Sequence, residues 1–261
     1  MTGRSAATLD ALRAPGLTVE RRLELSGQWF HDVCLWLGSP VGTLGPLGWP
    51  MVLIPEIVDS RYRLGETALQ VYQRVDWQGP VPRGEFTTGG QVAWVSAREG
   101  SFEAGITTRA TLDDRELARC LLVARMDGDL ESYGERTLPS RPALDEPSLY
   151  RRRTLIVDEA TIRGFGDLAG TRYPVHDDER YARAAGYPTI LVQGLLLFIT
   201  QLFYAGAGAA SGGTAEMWFR RAVPAGSLLE SCQSTSDPSL WAMRLIGGGE
   251  TAAVARISFN P

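Results

Sequence analysis

The chain has 261 residues, 44% of them hydrophobic and 21% charged, and a formal net charge of −4. This is an ordinary globular composition for one large domain or two small ones, and the acidic balance argues against a nucleic-acid-binding protein. All 26 basic residues are arginines, so a lysine Schiff base and a lysine general base are excluded.

The cysteines and histidines indicate neither a disulfide framework nor a metal site. Cys34, Cys120 and Cys232 are far apart in the sequence, and the two histidines, His31 and His176, are well separated. These spacings fit neither paired disulfides nor zinc ligands, so we expect no metal and no cofactor. The first residues, MTGRSAATLDALRAPG, contain no apolar signal core. We therefore expect a cytoplasmic protein with no membrane partner.

The first half begins with a predicted helix and continues with strands. Ser26 precedes QWFHDVCLWLG, which has the spacing of an N-capped helix with His31 packed in or beside the core. A central helix is expected to begin between Trp49 and Leu53. Strand-like segments follow at 68–77, 90–100, 102–112 and 116–126. The stretch 128–150 is rich in Pro, Glu and Ser and lacks periodicity, which is typical of a linker.

The second half repeats this order of elements. Asp158 precedes EATIRGFGDLAG, again the pattern of a capped helix. The apolar run from Gly194 to Ala210 is interrupted by polar residues and glycines, which predicts a buried central helix rather than a membrane span. Strand-like segments follow at 215–223, 227–236, 240–248 and 251–259. Each half therefore predicts an antiparallel sheet wrapped around a helix, an α+β arrangement.

Three short sequence echoes indicate that the halves are related. GWPMVLIP and GYPTILVQ are offset by 186 − 48 = 138, GPVPRG and RAVPAG by 221 − 79 = 142, and SPVG and YPVH by 173 − 39 = 134. Gly and Pro turns are common, so it is the shared order of the echoes that favours an internal repeat. We expect modules at 17–130 and 148–261 with a linker at 131–147, and an edge-to-edge junction that protects the open sheet edges.

The second half also contains a longer motif around TRYPVHDDERYARAAGYPTILVQG. Phe165 and Leu168 precede Thr171, His176 follows five positions later, and Asp178, Tyr-Ala, Gly-Tyr-Pro and Val-Gln-Gly-Leu complete the order. This order resembles the MaoC-like (R)-hydratases and 3-hydroxyacyl-thioester dehydratases, especially the members with two modules in one chain. The resemblance implies a double hot-dog fold over about 17–261, in which each module wraps an antiparallel sheet around a central helix. The first half matches mainly by the order of its elements.

The resemblance also implies roles for individual residues. The family's catalytic histidine falls on His176, and its oxyanion-binding N–H group falls on Gly194, at the start of the central helix. Its catalytic Asp or Asn falls on Thr171, which is a departure, and a second polar position falls on Tyr173. The first half has Gly42 where the second half has His176, so only the second module is expected to carry a catalytic histidine.

We therefore expect a ligand site at the second central helix, against the inner face of the first module. His176, Thr171 and Gly194 are the candidate catalytic residues, and the candidate substrate-binding residues are Tyr173, Gln193, Asp177, Trp49 and Tyr187. Asp178 is expected to cap the helix that starts near Glu179, because its carboxylate accepts from free N–H groups there. Asp177 has a second interpretation as a solvated surface charge, and Gln193 as a helix-entry residue.

Several arginines of the second half suit phosphates of coenzyme A or of an acyl-carrier protein, because guanidinium forks bind phosphate well. Ordinary solvent exposure is the simpler interpretation of these side chains. They are Arg172, Arg180, Arg183, Arg220 and Arg221.

Three functions remain open at this point. The first is a hydro-lyase acting on a CoA- or carrier-bound hydroxyacyl or enoyl thioester in a polyketide-type or acyl pathway, with His176 as acid and base. The second is a repurposed hot-dog cyclase of polyketide-type biosynthesis, because Thr171 cannot act as a base near pH 7. The third is a non-catalytic acyl-binding subunit. The expected partner is a small acyl substrate, and a homodimer is compatible with the fused pair of modules.

Overall fold

The strands of the protein form one continuous antiparallel sheet. The structure is a computed structural model that describes residues 12, 19–37, 47–57, 68–206 and 211–260. Within these ranges the sheet has 10 strands in the order β1-β3-β4-β5-β2-β7-β10-β9-β8-β6. Their bounds are β1 Val19–Glu24, β2 Leu69–Trp77, β3 Glu85–Arg98, β4 Ser101–Leu112, β5 Arg115–Asp127, β6 Leu149–Ile156, β7 Gly213–Phe219, β8 Leu228–Ser234, β9 Leu240–Leu245 and β10 Thr251–Phe259.

Six α-helices have their bounds in the described ranges: α1 Gly27–Leu37, α2 Gly48–Ile57, α3 Glu159–Ala169, α4 Pro174–Asp177, α5 Glu179–Ala184 and α6 Gly194–Tyr204. A short 3-10 helix also lies at Glu146–Ser148. Two sequence-predicted caps are confirmed, because Ser26 Oγ accepts from the N–H of Trp29 at 3.0 Å and Asp158 accepts from Thr161 at 2.7 Å. The predicted central helices are also confirmed, as α2 and α6. None of the described helices is long and apolar enough to cross a membrane.

The two halves of the sheet have the same strand order in mirror image. The first half runs β1-β3-β4-β5-β2, and the second runs β7-β10-β9-β8-β6. Strands β2 and β7 join the halves in an antiparallel register from Tyr72 opposite Trp218 to Trp77 opposite Gly213. The predicted α+β class and edge-to-edge junction of two sheets are therefore confirmed.

The main core lies between the sheet and the two central helices. Apolar residues of α6 are buried on most of its circumference, which is why the helix reads as a nearly continuous hydrophobic run. The buried residues are Leu195, Leu196, Leu197, Phe198, Ile199 and Leu202. Helix α2 likewise buries Trp49 and Met51 to Ile54. This core spans both halves, so the halves stabilise each other.

A second, smaller cluster lies where the halves meet. It contains Tyr72, Trp94, Val123 and Trp218, all buried. The hydroxyl of Tyr72 donates to the carboxylate of Glu216 across the junction at 2.6 Å. Burial and this hydrogen bond both raise the pKa of Tyr72 well above its ordinary value. The junction therefore combines apolar packing with a buried polar contact.

The segment between the halves is fixed to the sheet rather than loosely tethered. Tyr133 exchanges two backbone hydrogen bonds with Val95, at 2.9 and 3.0 Å. Arg136 pairs with the buried carboxylate of Glu103 at 2.9 Å. Further along, the carbonyl of Pro139 accepts from the indole N–H of Trp218 at 3.1 Å. The predicted module bounds stay a prediction, but this segment packs as part of the fold.

The edge strands β1 and β6 were not among the predicted strands. Their sequences, VERRLE and LYRRRTLI, are charged, and most side chains of β6 are exposed. Charged side chains keep an edge strand from pairing with other chains, and they also remove the apolar alternation that identifies a strand. Leu149 and Tyr150, which the composition placed in the linker stretch, begin β6.

One of the three sequence echoes is wrong as a structural equivalence. GWPMVLIP lies inside α2, because Pro50 fits the first turn of a helix, whereas GYPTILVQ precedes α6. The two central helices start 194 − 48 = 146 residues apart instead. GPVPRG and RAVPAG do occupy the matching connections, after β2 and after β7. Gly42, in the third echo, lies outside the described residues.

Candidate active site

A cavity of about 700 Å³ lies between the two halves, beside the start of α6. The first half contributes Ile54, the stretch 68–71 at the start of β2, and Leu122, Ala124 and Arg125 of β5. The second half contributes Thr171, Tyr173, Val175, His176, Tyr187, residues 191–195, Leu197 and residues 219–223. Arg141, from the segment between the halves, completes the described lining.

Three short-range features place His176 in this cavity. Helix α3 ends at Gly170, which adopts the left-handed conformation at φ 66° that favours glycine. Pro174 then opens the single turn α4, where its missing N–H group costs nothing. Finally, the N–H of Leu191 donates to the carbonyl of Val175 at 3.0 Å, which ties α4 to the segment before α6. His176 is thereby held on a short, fixed turn.

The ring of His176 has a defined tautomer. Its Nδ1 lies 2.8 Å from the carbonyl oxygen of Leu191. A carbonyl oxygen only accepts, so Nδ1 carries the proton in the neutral ring and Nε2 keeps a lone pair. Burial lowers the pKa of His176 to about 4, although the Leu191 hydrogen bond partly opposes this shift. At neutral pH the ring is therefore uncharged, oriented and able to accept a proton at Nε2.

Two further polar side chains of the cavity have unused hydrogen-bonding atoms. Thr171 is 4% exposed and Gln193 is 2% exposed. Thr171 Oγ1 and Gln193 Oε1 are both buried and have no hydrogen-bond partner among the described residues. The amide orientation of Gln193 is fixed, because its Nε2 donates to the carbonyl of Ile162 at 2.9 Å. Buried polar atoms without partners are costly, and at a cavity wall they are suited to a ligand or a water.

Gly194 lies at the N-terminus of α6, where backbone N–H groups carry partial positive charge. No side chain caps this helix end, and Gly194 and Leu195 both line the cavity. A Cβ atom at position 194 would lie 2.5 Å from Oε1 of Gln70, so a side chain would crowd this wall. Glycine thus leaves room for the side chain of Gln70, which packs against the start of α6.

The structure separates the predicted substrate-binding residues into two groups. Tyr173, Gln193 and Tyr187 line the cavity, and the ring centroids of Tyr173 and His176 are 6.2 Å apart. Trp49 lies elsewhere, buried in the core, and its indole N–H donates to the carbonyl of Gly79 at 2.7 Å. Asp177 also lies outside the lining of the cavity among the described residues. Its carboxylate faces two guanidinium groups instead.

These guanidinium groups belong to Arg172, at 2.9 Å, and Arg163, at 3.6 Å. Their positions agree with the interpretation of Asp177 as a surface charge. Asp178 caps α5 as predicted, accepting from the N–H groups of Arg180 at 2.8 Å and Tyr181 at 3.3 Å.

The sequence placed the site against the first module, and Ile54 of α2 does line the cavity, but it did not predict the residues that the strands of the first half and the connecting segment contribute. Gln70, Arg125 and Arg141 line the cavity, but they lie in a strand pattern or in an aperiodic stretch. Residues brought together by the junction of two sheets share no spacing in the sequence, so no local signal could have found them. Among the described residues, no group of three His, Cys, Asp or Glu side chains could hold a metal ion.

The sequence matches no known family profile and no curated protein. Solved structures do match. HtdX of Mycobacterium tuberculosis superposes with a TM-score of 0.75 at 14% identity, over 93% of this chain and 100% of the HtdX chain. A MaoC-like dehydratase from Phytophthora capsici gives a TM-score of 0.73 at 13% identity, over 97% of each chain.

The full-length peroxisomal multifunctional enzyme type 2 of Drosophila melanogaster gives a TM-score of 0.70 at 16% identity, over 92% of this chain and 48% of that one. At these identities a superposition shows the fold and not the activity. The chain therefore has the double hot-dog fold of the MaoC-like dehydratase structures, as the sequence resemblance predicted.

Proposed function

We propose that the protein is a hydro-lyase that adds water to, or removes it from, the C2–C3 bond of an acyl thioester. The single observation that carries this proposal is the oriented, neutral imidazole of His176 in a cavity that also includes the free N-terminus of α6. Hydration of a 2-enoyl thioester needs a base for water, an acid for C2 and donors for the carbonyl oxygen. The imidazole of His176 supplies the base and the acid, and the N-terminus of α6 supplies the hydrogen-bond donors for the carbonyl oxygen.

In the hydration direction, the thioester oxygen binds at the N–H of Gly194. His176 Nε2 takes a proton from water while the water oxygen bonds to C3. The electron pair of the double bond shifts toward C2 and the thioester oxygen, which becomes enolate-like. Protonated His176 then returns its proton to C2, so the product is the 3-hydroxyacyl thioester and the histidine is neutral again. Dehydration follows the same steps in reverse.

Thr171 and Gln193 position the water in this scheme. Threonine is no base near neutral pH, so proton transfer belongs to His176 alone. A water between the free oxygens Thr171 Oγ1 and Gln193 Oε1 would donate to one of them and present its lone pair to C3. Removing one oxyanion donor typically costs about 2.7–4 kcal/mol of transition-state stabilisation, so Gly194 is expected to contribute as much as the base.

The fold supports this proposal by analogy. The solved structures that superpose on this chain include proteins described as MaoC-like dehydratases. We therefore place the reaction class with those proteins and take a 2-enoyl or 3-hydroxyacyl thioester as the substrate.

The test is steady-state hydration of trans-2-enoyl thioesters with short, medium and long acyl chains, followed by loss of the enoyl-thioester absorbance. His176→Ala is expected to lower kcat by about 100-fold or more, the usual scale of general acid–base catalysis. Asp177→Asn is the matched control, because it changes the adjacent residue outside the cavity and should leave kcat unchanged. A wild type inactive on every chain length would refute the hydro-lyase and favour a cyclase or an acyl-binding subunit.

A further inference from the structure

The first half places one amide side chain directly against the N-terminus of α6. Gln70, at the start of β2, lines the cavity. A Cβ atom built on Gly194 would lie 2.5 Å from Oε1 of Gln70 and 2.9 Å from its Cδ, so the planar amide contacts this helix end. A polar group of the first half therefore lies where negative charge develops on the thioester oxygen in the proposed reaction.

A β-bulge sets the direction of the Gln70 side chain. Gln70 lies opposite Ala124 of β5, and the register then shifts before Tyr72, so that Gln73 lies opposite Leu122. Ala124 and Leu122 are two residues apart and both line the cavity. Residues three apart in a regular strand point to opposite faces, but the extra residue of the bulge brings Gln70 and Gln73 to the same face.

Gln70 and Gln73 are hydrogen-bonded to each other as a result. Nε2 of Gln70 donates to Oε1 of Gln73, so the atom of the Gln70 amide that faces Gly194 is its oxygen. Gln73 is completely buried, and its Nε2 has no hydrogen-bond partner among the described residues. A buried N–H group without a partner is rare and costly. The pair therefore contains a hydrogen-bond donor that this arrangement does not use.

The same two side chains have a second arrangement in which this hydrogen bond is reversed. When both amides turn over, Nε2 of Gln73 donates to Oε1 of Gln70, and the buried donor gains a partner. Oε1 of Gln73 then loses its partner, but a carbonyl oxygen tolerates this better than an N–H group does. In this arrangement Nε2 of Gln70 faces Gly194 and has a proton to donate there.

The approach of a thioester favours the reversed arrangement. In the arrangement of the structure, the Gln70 oxygen faces the end of α6 that carries partial positive charge. A thioester that binds at this end brings a second acceptor oxygen to the same place, and the two oxygens repel each other. Reversal of the Gln70–Gln73 hydrogen bond removes this repulsion, because it replaces one of the oxygens with an N–H group.

We propose that Gln70 is a second hydrogen-bond donor to the thioester oxygen, beside the N–H of Gly194, and that Gln73 positions it through the reversed hydrogen bond. The inference rests on the proposed function, and it gives the first half a catalytic residue of the site. Preorganised donors on an enolate-like oxygen stabilise the transition state more than the ground state. The developing charge is shared between a backbone N–H of one half and a side chain of the other.

The kinetic test is steady-state hydration of enoyl thioesters by Gln70→Ala and Gln70→Glu. The first change removes the donor, and the second keeps the shape of the side chain but introduces a carboxylate, which only accepts. Both should lower kcat by about 100-fold or more and change KM little, since an oxyanion donor acts mainly in the transition state. A Gln70 side chain that merely blocks the helix end would give the opposite result, because Gln70→Ala would then raise kcat/KM.

Gln91→Glu is the matched control for this experiment. It makes the same exchange at an exposed position of β3, outside the lining of the cavity among the described residues. It should leave both kcat and KM unchanged. A loss of kcat in this variant as large as that in Gln70→Glu would overturn the assignment of a donor role to Gln70.

Gln73→Met tests the positioning role of the second amide. The change keeps the length of the side chain and removes the unpartnered N–H group, so the free energy of unfolding should stay level or rise. The value of kcat should nevertheless fall by up to about tenfold, the scale of one neutral hydrogen bond, because Gln70 loses the group that holds it. A loss of stability with an unchanged kcat would assign Gln73 to packing and overturn its positioning role.

Infrared spectroscopy of a bound thioester tests the donor separately from turnover. The probe is butyryl-coenzyme A with an isotopically labelled carbonyl carbon, which is saturated and cannot be hydrated. Hydrogen bonds to the oxygen weaken the C=O bond, so wild type should lower its stretching frequency relative to the free thioester. Gln70→Ala should reverse part of this shift, and Gln91→Glu should retain all of it.

Two results would overturn the inference. One is a carbonyl band of the wild-type complex at the frequency of the free thioester, and the other is a full shift together with full kcat in Gln70→Ala. In the second case the hydro-lyase proposal stands, because Gln70→Ala still hydrates the substrate. The hydro-lyase proposal fails instead when wild type hydrates no enoyl thioester, even if the carbonyl shift of the butyryl probe depends on Gln70.

Discussion

A single hydrogen bond decides what His176 is able to do. The carbonyl of Leu191 fixes the proton on Nδ1, and burial keeps the ring neutral, so Nε2 is a base at neutral pH. The sequence resemblance places Thr171 where the MaoC-like motif has Asp or Asn, and its hydroxyl is a buried group with no partner among the described residues. The side chain thus gives up stability at a position that faces the cavity, which is common at functional sites.

This cost gives a prediction for Thr171→Val, a change that keeps the shape of the side chain and removes its hydroxyl. The free energy of unfolding should rise by about 1 kcal/mol, since an unsatisfied buried hydroxyl is removed. At the same time kcat for thioester hydration should fall, because the water loses an oxygen that positions it. Thermal unfolding and steady-state kinetics on the same preparation measure both. An unchanged kcat would assign Thr171 to packing alone.

At the scale of elements, glycines show how local geometry sets the sign of a substitution. Gly105 in β4 faces the buried ring of Trp94, and a Cβ atom there would come within 2.3 Å of that ring. Gly164 in the middle of α3 has no atom within 4 Å of a built Cβ. A change from glycine to alanine adds a methyl group at either position, but only Gly164 has space for that group.

We therefore expect opposite effects from the same substitution. Gly105→Ala should destabilise the protein by about 1–3 kcal/mol through overpacking against Trp94. Gly164→Ala should stabilise it by about 0.5–1 kcal/mol, because alanine restricts the unfolded chain and favours the helix. Denaturant unfolding of the two variants beside wild type measures the difference. Equal shifts for both variants would contradict the packing around Trp94.

Elements with local sequence signals could be predicted, whereas elements that depend on contacts distant in sequence could not. Helix caps and apolar periodicity are local, so Ser26, Asp158 and the start of α6 could be read directly. Edge strands carry charged side chains and lose the alternation of apolar and polar residues, so β1 and β6 could not be predicted from the sequence. In the site, His176 and Gly194 belong to one contiguous motif. Arg141 lines the cavity because contacts distant in sequence, such as that of Pro139 with Trp218, fix the connecting segment, and no local pattern encodes them.

At the scale of the whole molecule, the two halves depend on each other. Strands β2 and β7 make the sheet continuous, and both halves contribute walls to the cavity. At this junction the carboxylate of Glu216 is buried and accepts from Tyr72, with Arg74 at 3.6 Å. The separate modules would each expose an unpaired strand and half of the candidate site.

Tyr72→Phe tests this junction by leaving the buried carboxylate without its closest donor. It should lower the free energy of unfolding by about 1–3 kcal/mol, the cost of an unsatisfied buried polar group. Tyr150→Phe removes a hydroxyl that donates to Gln233 at an exposed site, and should stay within about 0.5 kcal/mol of wild type. Denaturant unfolding of both variants measures the two changes in the free energy of unfolding. Equal changes for Tyr72→Phe and Tyr150→Phe would contradict a stabilising role for the Tyr72–Glu216 contact at the junction.

The pH dependence of kcat/KM for enoyl-thioester hydration by the wild type tests the central claim most directly. Protonation of Nε2 removes the base, so activity falls as the pH drops through the pKa of His176, which burial lowers to about 4. The account predicts a constant kcat/KM from about pH 8 to about pH 5 and a decline only below that. A decline centred near the ordinary histidine value of about 6.5, or no hydration at any pH, would contradict it.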